Sequence, residues 1–497
     1  MQELTIAEIQ RRMKGGTLTA RELTASYLER IEQIDRNGPQ LNSVIEVNPD
    51  AQEIAERLDE ERAARGARSP LHGIPILLKE NIATADQMQT TAGSLALEGV
   101  RAEDDAFLVR RLRAAGAVIL GKANLSEWAN FRSTRSSSGW SSRGGQTRNP
   151  YALDRNPCGS SSGSAVAVAA DLCAGAVGTE TDGSIICPAQ ANGVVGLKPT
   201  VGLVSRRGIV PISHSQDTAG PLARTVAGCA FLLGGMVAHD PEDGATEGSA
   251  ERGERDYSQF LDTDGLRGTR IGVARQFFGF HDRVDRLMER AIEAMRDQGA
   301  EIVDPVQVEQ ADALGETEIE VLLYEFKHSI NDYLSRLESD AAVHSLEELI
   351  AFNREHAAQT MPYFRQELFE KAQAKGPLTE SAYQEARARS RRLAREGIDE
   401  TIAAHKLDAI VAPSGGPAWL TDWINGDHFG GGSSRPAAVA GYPAITVPAG
   451  DIFGLPVGIS FFAGAYQEPT LLRLAHAYEQ ATRLRRPPDY RSTVDFS

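Results

Sequence analysis

Residues 158–184 read C-G-S-S-S-G-S-A-V-A-V-A-A-D-L-C-A-G-A-V-G-T-E-T-D-G-S and carry five serines at two separate turns. Four of these serines share a predicted loop with two glycines: Ser160, Ser161, Ser162 and Ser164. The Ala/Val run at 165–170 predicts a buried helix after that loop, and Ser184 ends a second turn, T-D-G-S. Small residues permit close backbone approach, and a glycine turn can direct several N–H groups at one point. Such an arrangement suits an oxyanion.

The composition indicates an ordinary globular chain. It has 497 residues, 41% of them hydrophobic and 24% charged, and no low-complexity linker divides it. The net charge of −16 argues against nucleic acid or an anionic membrane as the main partner. The N-terminal segment lacks an apolar signal region and no run of about 18 apolar residues occurs, so we expect a cytoplasmic protein.

The four cysteines are Cys158, Cys173, Cys187 and Cys229. They show no C-x-x-C spacing and are too sparse for a disulfide scaffold. We therefore expect them to be small buried hydrophobic residues.

Helical and strand patterns alternate along the first third of the chain. Helices are predicted within 4–37, at 51–65 and at 104–115, and short buried strands at 74–78 and 117–120. Further along, 283–299 and 380–404 have helical patterns, and 407–412 and 444–447 are candidate buried strands. This alternation predicts the α/β class.

Lys79 lies at the carboxyl end of the strand predicted at 74–78. Ligands of open α/β sheets collect beyond the carboxyl ends of strands, and a desolvated lysine has a lowered pKa, so it can act as a neutral base. The alternative is a lysine that reaches the surface or pairs with Glu80.

Two motifs that suggest other chemistry lack the context they need. Residues 116–122 fit G-x-x-x-x-G-K, but Ala123 stands where a phosphate-binding loop has Ser or Thr, and the intervening residues form an apolar strand. Residues 159–163 fit G-x-S-x-G with Ser161 as nucleophile, yet the polar segment before them contains Pro157 and is not a buried strand. The ten histidines show no metal-site spacing, and residues such as His214 and His328 are interpreted as structural.

Four blocks in fixed order resemble the amidase signature family: the strand that ends in Lys79, the Gly-Ser loop at 158–163, the turn at 181–184 and G-L-K-P-T at 196–200. The block Q-D-T-A-G-P at 216–221 follows them. The resemblance runs from the first helix to Pro488. It implies one compact α/β domain, a large mixed sheet covered by helices on both faces. Within residues 1–497 it implies N-terminal helices (1–65), a core with the reactive residues (66–230) and a C-terminal part that completes the sheet and pocket (265–497).

The resemblance also implies the roles of individual residues. Ser184 matches the nucleophile, Ser160 a bridging serine with a cis bond to Gly159, and Lys79 the base. The oxyanion would lie among the backbone N–H groups of four consecutive residues: Thr181, Asp182, Gly183 and Ser184. Ser161, by adjacency, is a candidate for orienting the relay or the substrate. No cofactor or metal is expected.

The substrate is less sharply defined than the reaction. A closer resemblance is to the branch of the family that deamidates C-terminal peptide amides. It rests on the segments 140–145, 323–327 and 440–443, and on Asp182, where much of the family has Gly. The alternatives are an aryl or alkyl acylamidase, or the glutaminase subunit of a tRNA-dependent amidotransferase. We expect a small-molecule or peptide amide substrate and a monomer or simple homo-oligomer. The loop with Trp419, Trp423 and Phe429 is a candidate lining of the site.

Overall fold

A computed structural model describes residues 3–496 and confirms the α/β class. The α-helices are α1 (Ile6–Lys14), α2 (Ala20–Arg30), α3 (Ala51–Arg65), α4 (Phe107–Ala114), α5 (Ser162–Ala169), α6 (Ile186–Ala191), α7 (Val226–Met236), α8 (Ser249–Arg252), α9 (Asp282–Asp297), α10 (Leu314–Leu334), α11 (Leu346–Glu355), α12 (Ala357–Thr360), α13 (Glu367–Gln373), α14 (Ser381–His405), α15 (Arg435–Ala440) and α16 (Glu468–Thr482). The strands are β1 (Val44–Val47), β2 (Pro75–Lys79), β3 (Val118–Ala123), β4 (Trp140–Ser141), β5 (Gly145–Gln146), β6 (Gly175–Glu180), β7 (Val195–Lys198), β8 (Thr218–Ala223), β9 (Arg270–Ala274), β10 (Glu301–Val306), β11 (Ala409–Pro413), β12 (Ala444–Ile452) and β13 (Leu455–Phe462).

Within residues 3–496, eleven of these strands form one mixed sheet in the order β1-β3-β2-β6-β8-β7-β12-β13-β11-β9-β10. The pairs β2/β3, β2/β6, β9/β10 and β9/β11 are parallel, and the remaining pairs are antiparallel. Strands from the two halves of the chain meet at the junction between β7 and β12. The sheet therefore unites the whole chain in a single compact domain.

Helices pack against this sheet in two groups. Helices α5 and α6 contact each other and the central strands, and α7, α9 and α16 form a second group that contacts the sheet. α5 is buried along its whole length, which its Ala, Val, Gly and Ser residues permit because they let backbones approach closely. A separate helical layer of α10, α11 and α13 has its own hydrophobic core, in which Phe326 stacks on Phe369 at 5.2 Å.

Most of the predicted elements are present with small shifts at their ends. The helix predicted at 51–65 is α3, and the two N-terminal helices are α1 and α2, with a capping box between Thr19 and Glu22. The helix predicted at 104–115 begins later, at Phe107. β3 continues through Gly121 and Lys122, so the segment that mimics a phosphate-binding loop is a buried strand.

One local prediction about the serine loop is wrong. The sequence pattern assigns Ser162, Gly163 and Ser164 to the loop, but they form the first turn of α5. Gly163 allows this close packing, because a Cβ there would lie 2.3 Å from the carbonyl oxygen of Ser43. The loop is therefore confined to residues 158–161.

None of the helices within residues 3–496 combines the length and the apolar character needed to cross a membrane. The division into segments 1–65, 66–230 and 265–497 stays a prediction.

Candidate active site

Lys79 is the last residue of β2 and its side chain is fully buried. The parallel register pairs Leu78 with Val177, which brings Lys79 beside the end of β6. Its Nζ donates hydrogen bonds to Ser160 Oγ at 2.7 Å and to Thr179 Oγ1 at 2.8 Å. Glu80 does not pair with it and instead contacts Arg143 and backbone N–H groups of 91 and 93. Lys79 therefore points into the site and not to the surface.

Burial makes the ammonium form of Lys79 unfavourable. Desolvation lowers the pKa of Lys79 to about 7, although the nearby carboxylates of Asp217 and Glu180 act to raise it. Near neutral pH the side chain of Lys79 is therefore uncharged in a large fraction of the molecules. The sequence-based expectation of a lysine that can accept a proton agrees with this environment.

The loop at 158–161 places Ser160 against Lys79. The Gly159–Ser160 peptide bond is cis, as the resemblance implies. A Cβ on residue 159 would lie 2.2 Å from Ser126 Oγ, so any side chain there would displace Ser126. Ser161 Oγ accepts from Thr179 N at 3.2 Å and donates to the Thr179 carbonyl at 3.0 Å. Ser161 thus holds the loop against β6, and both of its hydrogen-bonding directions are used.

The turn at 181–184 follows β6 and faces the same loop. The N–H of Ser161 donates to the carbonyl oxygen of Ser184 at 3.1 Å. Gly183 has a φ of 77°, a conformation that favours glycine. Ser184 retains 9% of its surface exposed, whereas Lys79 and Ser160 retain none. Lys79 thus contacts Ser160, and the backbone of Ser184 is hydrogen-bonded to that of Ser161, so residues up to 105 positions apart in the sequence lie on adjoining turns of the fold. The role of the Ser184 side chain stays a prediction.

Asp182 connects this turn to α15 and α10. Its Oδ1 accepts from Ser434 Oγ at 2.5 Å, and its Oδ2 lies 3.8 Å from Arg435 Nε. Arg435, which is half exposed, donates to Glu318 at 2.9 Å. Burial and the charge of Asp182 raise the pKa of Glu318 to about 8. Asp182 is thus a structural link between the turn and the helical layer.

The expectation that all four cysteines are simple buried residues is wrong for two of them. Cys158 and Cys187 form a disulfide, with Cα atoms 5.9 Å apart across a separation of 29 residues. Cys173 and Cys229 are buried and free. Spacing could not identify this pair, because the fold alone brings the serine loop onto the start of α6. The expected cytoplasmic location stays a prediction.

The disulfide is expected to stabilise the fold around the serine loop and the start of α6. Closing a loop of this length lowers the conformational entropy of the unfolded chain, which raises the free energy of unfolding by about 3 to 4 kcal/mol. We expect the variant Cys158→Ser/Cys187→Ser to unfold at a lower temperature than the oxidised protein, and dithiothreitol to lower the midpoint of the wild type only. Equal midpoints for the variant and the oxidised wild type would contradict this expectation.

The aromatic loop lies beside the disulfide. Trp419 is buried against Cys158 and Cys187, and its Nε1 donates to Asp427 at 3.1 Å. Trp423 stacks on Tyr363 at 4.5 Å and is 44% exposed, and Phe429 is 54% exposed. Trp419 is therefore a core residue, and a role of the exposed pair in lining the site stays a prediction.

Sequence reasoning missed Thr179, whose side chain binds both Lys79 and Asn81. A usable signal existed, because Thr179 and Glu180 are polar residues in a wholly buried strand and such residues need partners. Glu180 Oε2 accepts from the N–H groups of Ile185 and Ile186 and so supports the chain just after Ser184.

The family model Amidase matches residues 22–472. The chain belongs to the amidase signature family. Two solved structures of peptide amidase resemble this amidase closely: one in complex with the competitive inhibitor chymostatin (54% identity, TM-score 0.95), the other the native enzyme from Stenotrophomonas maltophilia (53%, TM-score 0.93). Each comparison covers 98% of this chain and 99% of the other.

More distant relatives cover the same length. A probable amidase of Arabidopsis thaliana is 44% identical over 99% of this amidase and 92% of the relative. A glutamyl-tRNA(Gln) amidotransferase subunit from Halorhodospira halophila is 36% identical over 97% of this chain and 98% of its own. Family and fold together make the protein an amide hydrolase.

Proposed function

We propose that the protein removes the terminal amide from C-terminally amidated peptides, with Ser184 as nucleophile, Ser160 as bridge and Lys79 as base. The observation that carries the proposal is the buried contact of 2.7 Å between Lys79 Nζ and Ser160 Oγ. A serine hydroxyl attacks an amide only if its proton is removed as the new bond forms. A neutral lysine joined to a second serine supplies that base without a histidine.

In the acylation step, Ser184 Oγ attacks the amide carbon and its proton passes to Ser160, whose own proton passes to Lys79. The backbone N–H groups of the turn at 181–184 stabilise the oxyanion; each such donor contributes about 3 to 4 kcal/mol in comparable sites. The reversed relay protonates the leaving nitrogen, and ammonia departs. Water then attacks the acyl-enzyme, with the same relay as base, and releases the acid.

Similarity supports a peptide amide as substrate. The chain is 54% identical to peptide amidase over nearly the whole of both chains, and 36% identical to the amidotransferase relative. The second candidate, a glutaminase subunit, is favoured only by that lower similarity.

The test is ammonia release from a C-terminally amidated dipeptide, with the Ser184→Ala protein as blank and the free-acid dipeptide as substrate control. We expect the wild type, and not the Ser184→Ala protein, to release ammonia from the amidated dipeptide. Glutamine and a peptide anilide, assayed in parallel, distinguish the alternatives. If the protein hydrolyses glutamine but not the dipeptide amide, the glutaminase alternative is correct. If it hydrolyses the anilide but not the dipeptide amide, the acylamidase alternative is correct.

The proposed base predicts a pH dependence. Because only neutral Lys79 accepts a proton and its pKa is about 7, kcat/KM should rise with pH through about 7 and level off above it. Below that value it should fall roughly tenfold per unit. The measurement is kcat/KM from pH 5 to 9, with circular dichroism to confirm that the protein stays folded. A flat profile down to pH 5 would exclude Lys79 as the base.

A further inference from the structure

Asp217 is a partly buried carboxylate beside the candidate site. It immediately precedes β8, whose first residue, Thr218, pairs with Glu180 at the end of β6. This register places Asp217 beside the turn that begins at Thr181. Together with Asn81 and Thr179, it lines a cavity of about 520 Å³.

The carboxylate of Asp217 is held by three hydrogen bonds. Its Oδ1 accepts from Thr181 Oγ1 at 2.6 Å, and its Oδ2 accepts from the N–H groups of Ile212 and Ser213, both at 2.8 Å. The adjacent Gln216 donates from Nε2 to the carbonyl of Thr181 at 3.3 Å. Two consecutive residues therefore hold both the side chain and the carbonyl of Thr181.

Asp217 also acts on Lys79 through its charge. Burial raises the pKa of Asp217 to about 6, so it is largely ionised at pH 7. Its negative charge favours the ammonium form of Lys79, as does that of Glu180, and Asp217 itself faces the guanidinium of Arg206. His214 lines the same cavity, and burial lowers its pKa, which leaves it neutral above pH 7.

We propose that Asp217 is a positioning residue of the hydrolytic reaction, which fixes Thr181 at the start of the oxyanion turn and places a negative charge near Lys79. The inference rests on the proposed Ser-Ser-Lys relay but not on the identity of the amide. The tether and the charge are separable. The hydroxyl of Thr181 forms the tether and also lowers the pKa of Asp217, so the effect of the tether is compared at pH 9, where Asp217 is ionised with or without that hydroxyl.

The test uses the rate at which a fluorophosphonate labels the protein, followed by mass spectrometry from pH 5 to 9. Labelling forms a bond from Ser184 Oγ to phosphorus, expels fluoride and passes the proton to the relay, so it works whichever amide is the substrate. Asp217→Asn removes the charge and keeps a hydrogen-bonding side chain of the same size beside Thr181. We expect its labelling profile to move to lower pH by about one unit.

Thr181→Val tests the tether with no change of charge. We expect its labelling at pH 9 to slow about 3- to 10-fold, and Thr181→Ser to restore the rate. Glu242→Gln removes an exposed charge from the rim of the same cavity and should not move the profile. Thermal unfolding shows whether each variant is folded. If Asp217→Asn is not folded, the comparison of Thr181→Val with Thr181→Ser tests the inference.

The outcomes separate this inference from the proposed function. An Asp217→Asn profile that overlays the wild type, or wild-type labelling in Thr181→Val, overturns the inference while the relay stands. A wild type that is not labelled overturns both. A labelled wild type that releases no ammonia from the amidated dipeptide overturns the substrate proposal alone.

Discussion

Replacing Ser184 by alanine is expected to lower kcat for an amide substrate by about 10⁴- to 10⁶-fold while leaving the fold unchanged. The removed hydroxyl is the proposed nucleophile, so no acyl-enzyme can form. The side chain makes no essential packing contribution that alanine cannot replace, since Ser184 retains surface exposure at the site. Steady-state ammonia release, and fluorophosphonate labelling followed by peptide mapping, measure the loss.

Other serines of the same stretch provide matched controls. Ser164 lies in α5 and donates to the carbonyl of Val177 at 3.3 Å, whereas Lys79 binds Ser160 and Thr179. Ser164→Ala should retain most of the activity and its labelling. Label on Ser160 or Ser161 in the wild type, or full labelling of the Ser184→Ala protein, would assign the nucleophile to another serine and sink the proposed relay.

Local patterns are sufficient to predict the elements that carry the site. The short apolar run before Lys79 and the Ala/Val run after the serine loop indicate a buried strand and a buried helix, and both are present. The order of the strands could not be predicted from such patterns. In the sheet, β12 and β13 from the C-terminal part lie between β7 and β11, and nothing in a local period specifies those long-range neighbours.

The motifs and the family resemblance single out Lys79, Ser160 and Ser184 as candidates, but not the residues that contact them. The contacts of Thr179, Asp217 and Ser434 form only where strands and helices from distant parts of the chain converge, so motif spacing does not reveal them. The Cys158–Cys187 pair was missed for the same reason. Motif spacing predicts which residues share one turn. Contacts with residues from other elements depend on how the strands are paired in the sheet.

Replacing Lys79 by methionine is expected to lower kcat/KM by about 10³- to 10⁴-fold at pH 7, the contribution that a positioned general base makes. Methionine fills a similar volume in the buried space but cannot accept a proton from Ser160. Fluorophosphonate labelling should slow in parallel, because it depends on the same proton transfer. Lys79→Arg should be as inactive near neutral pH, since a guanidinium remains protonated.

Lys122 provides the matched control for loss of a buried lysine. It lies on the neighbouring strand β3, is fully buried, and burial lowers its pKa to about 8. Its Nζ instead binds the carbonyl of Ile82 and the hydroxyl of Thr90. Lys122→Met should therefore lower the unfolding temperature yet keep the acid limb of the pH profile. If both variants lost activity equally while remaining folded, burial of a lysine and not its contact with Ser160 would explain the loss, and Lys79 would not be the base.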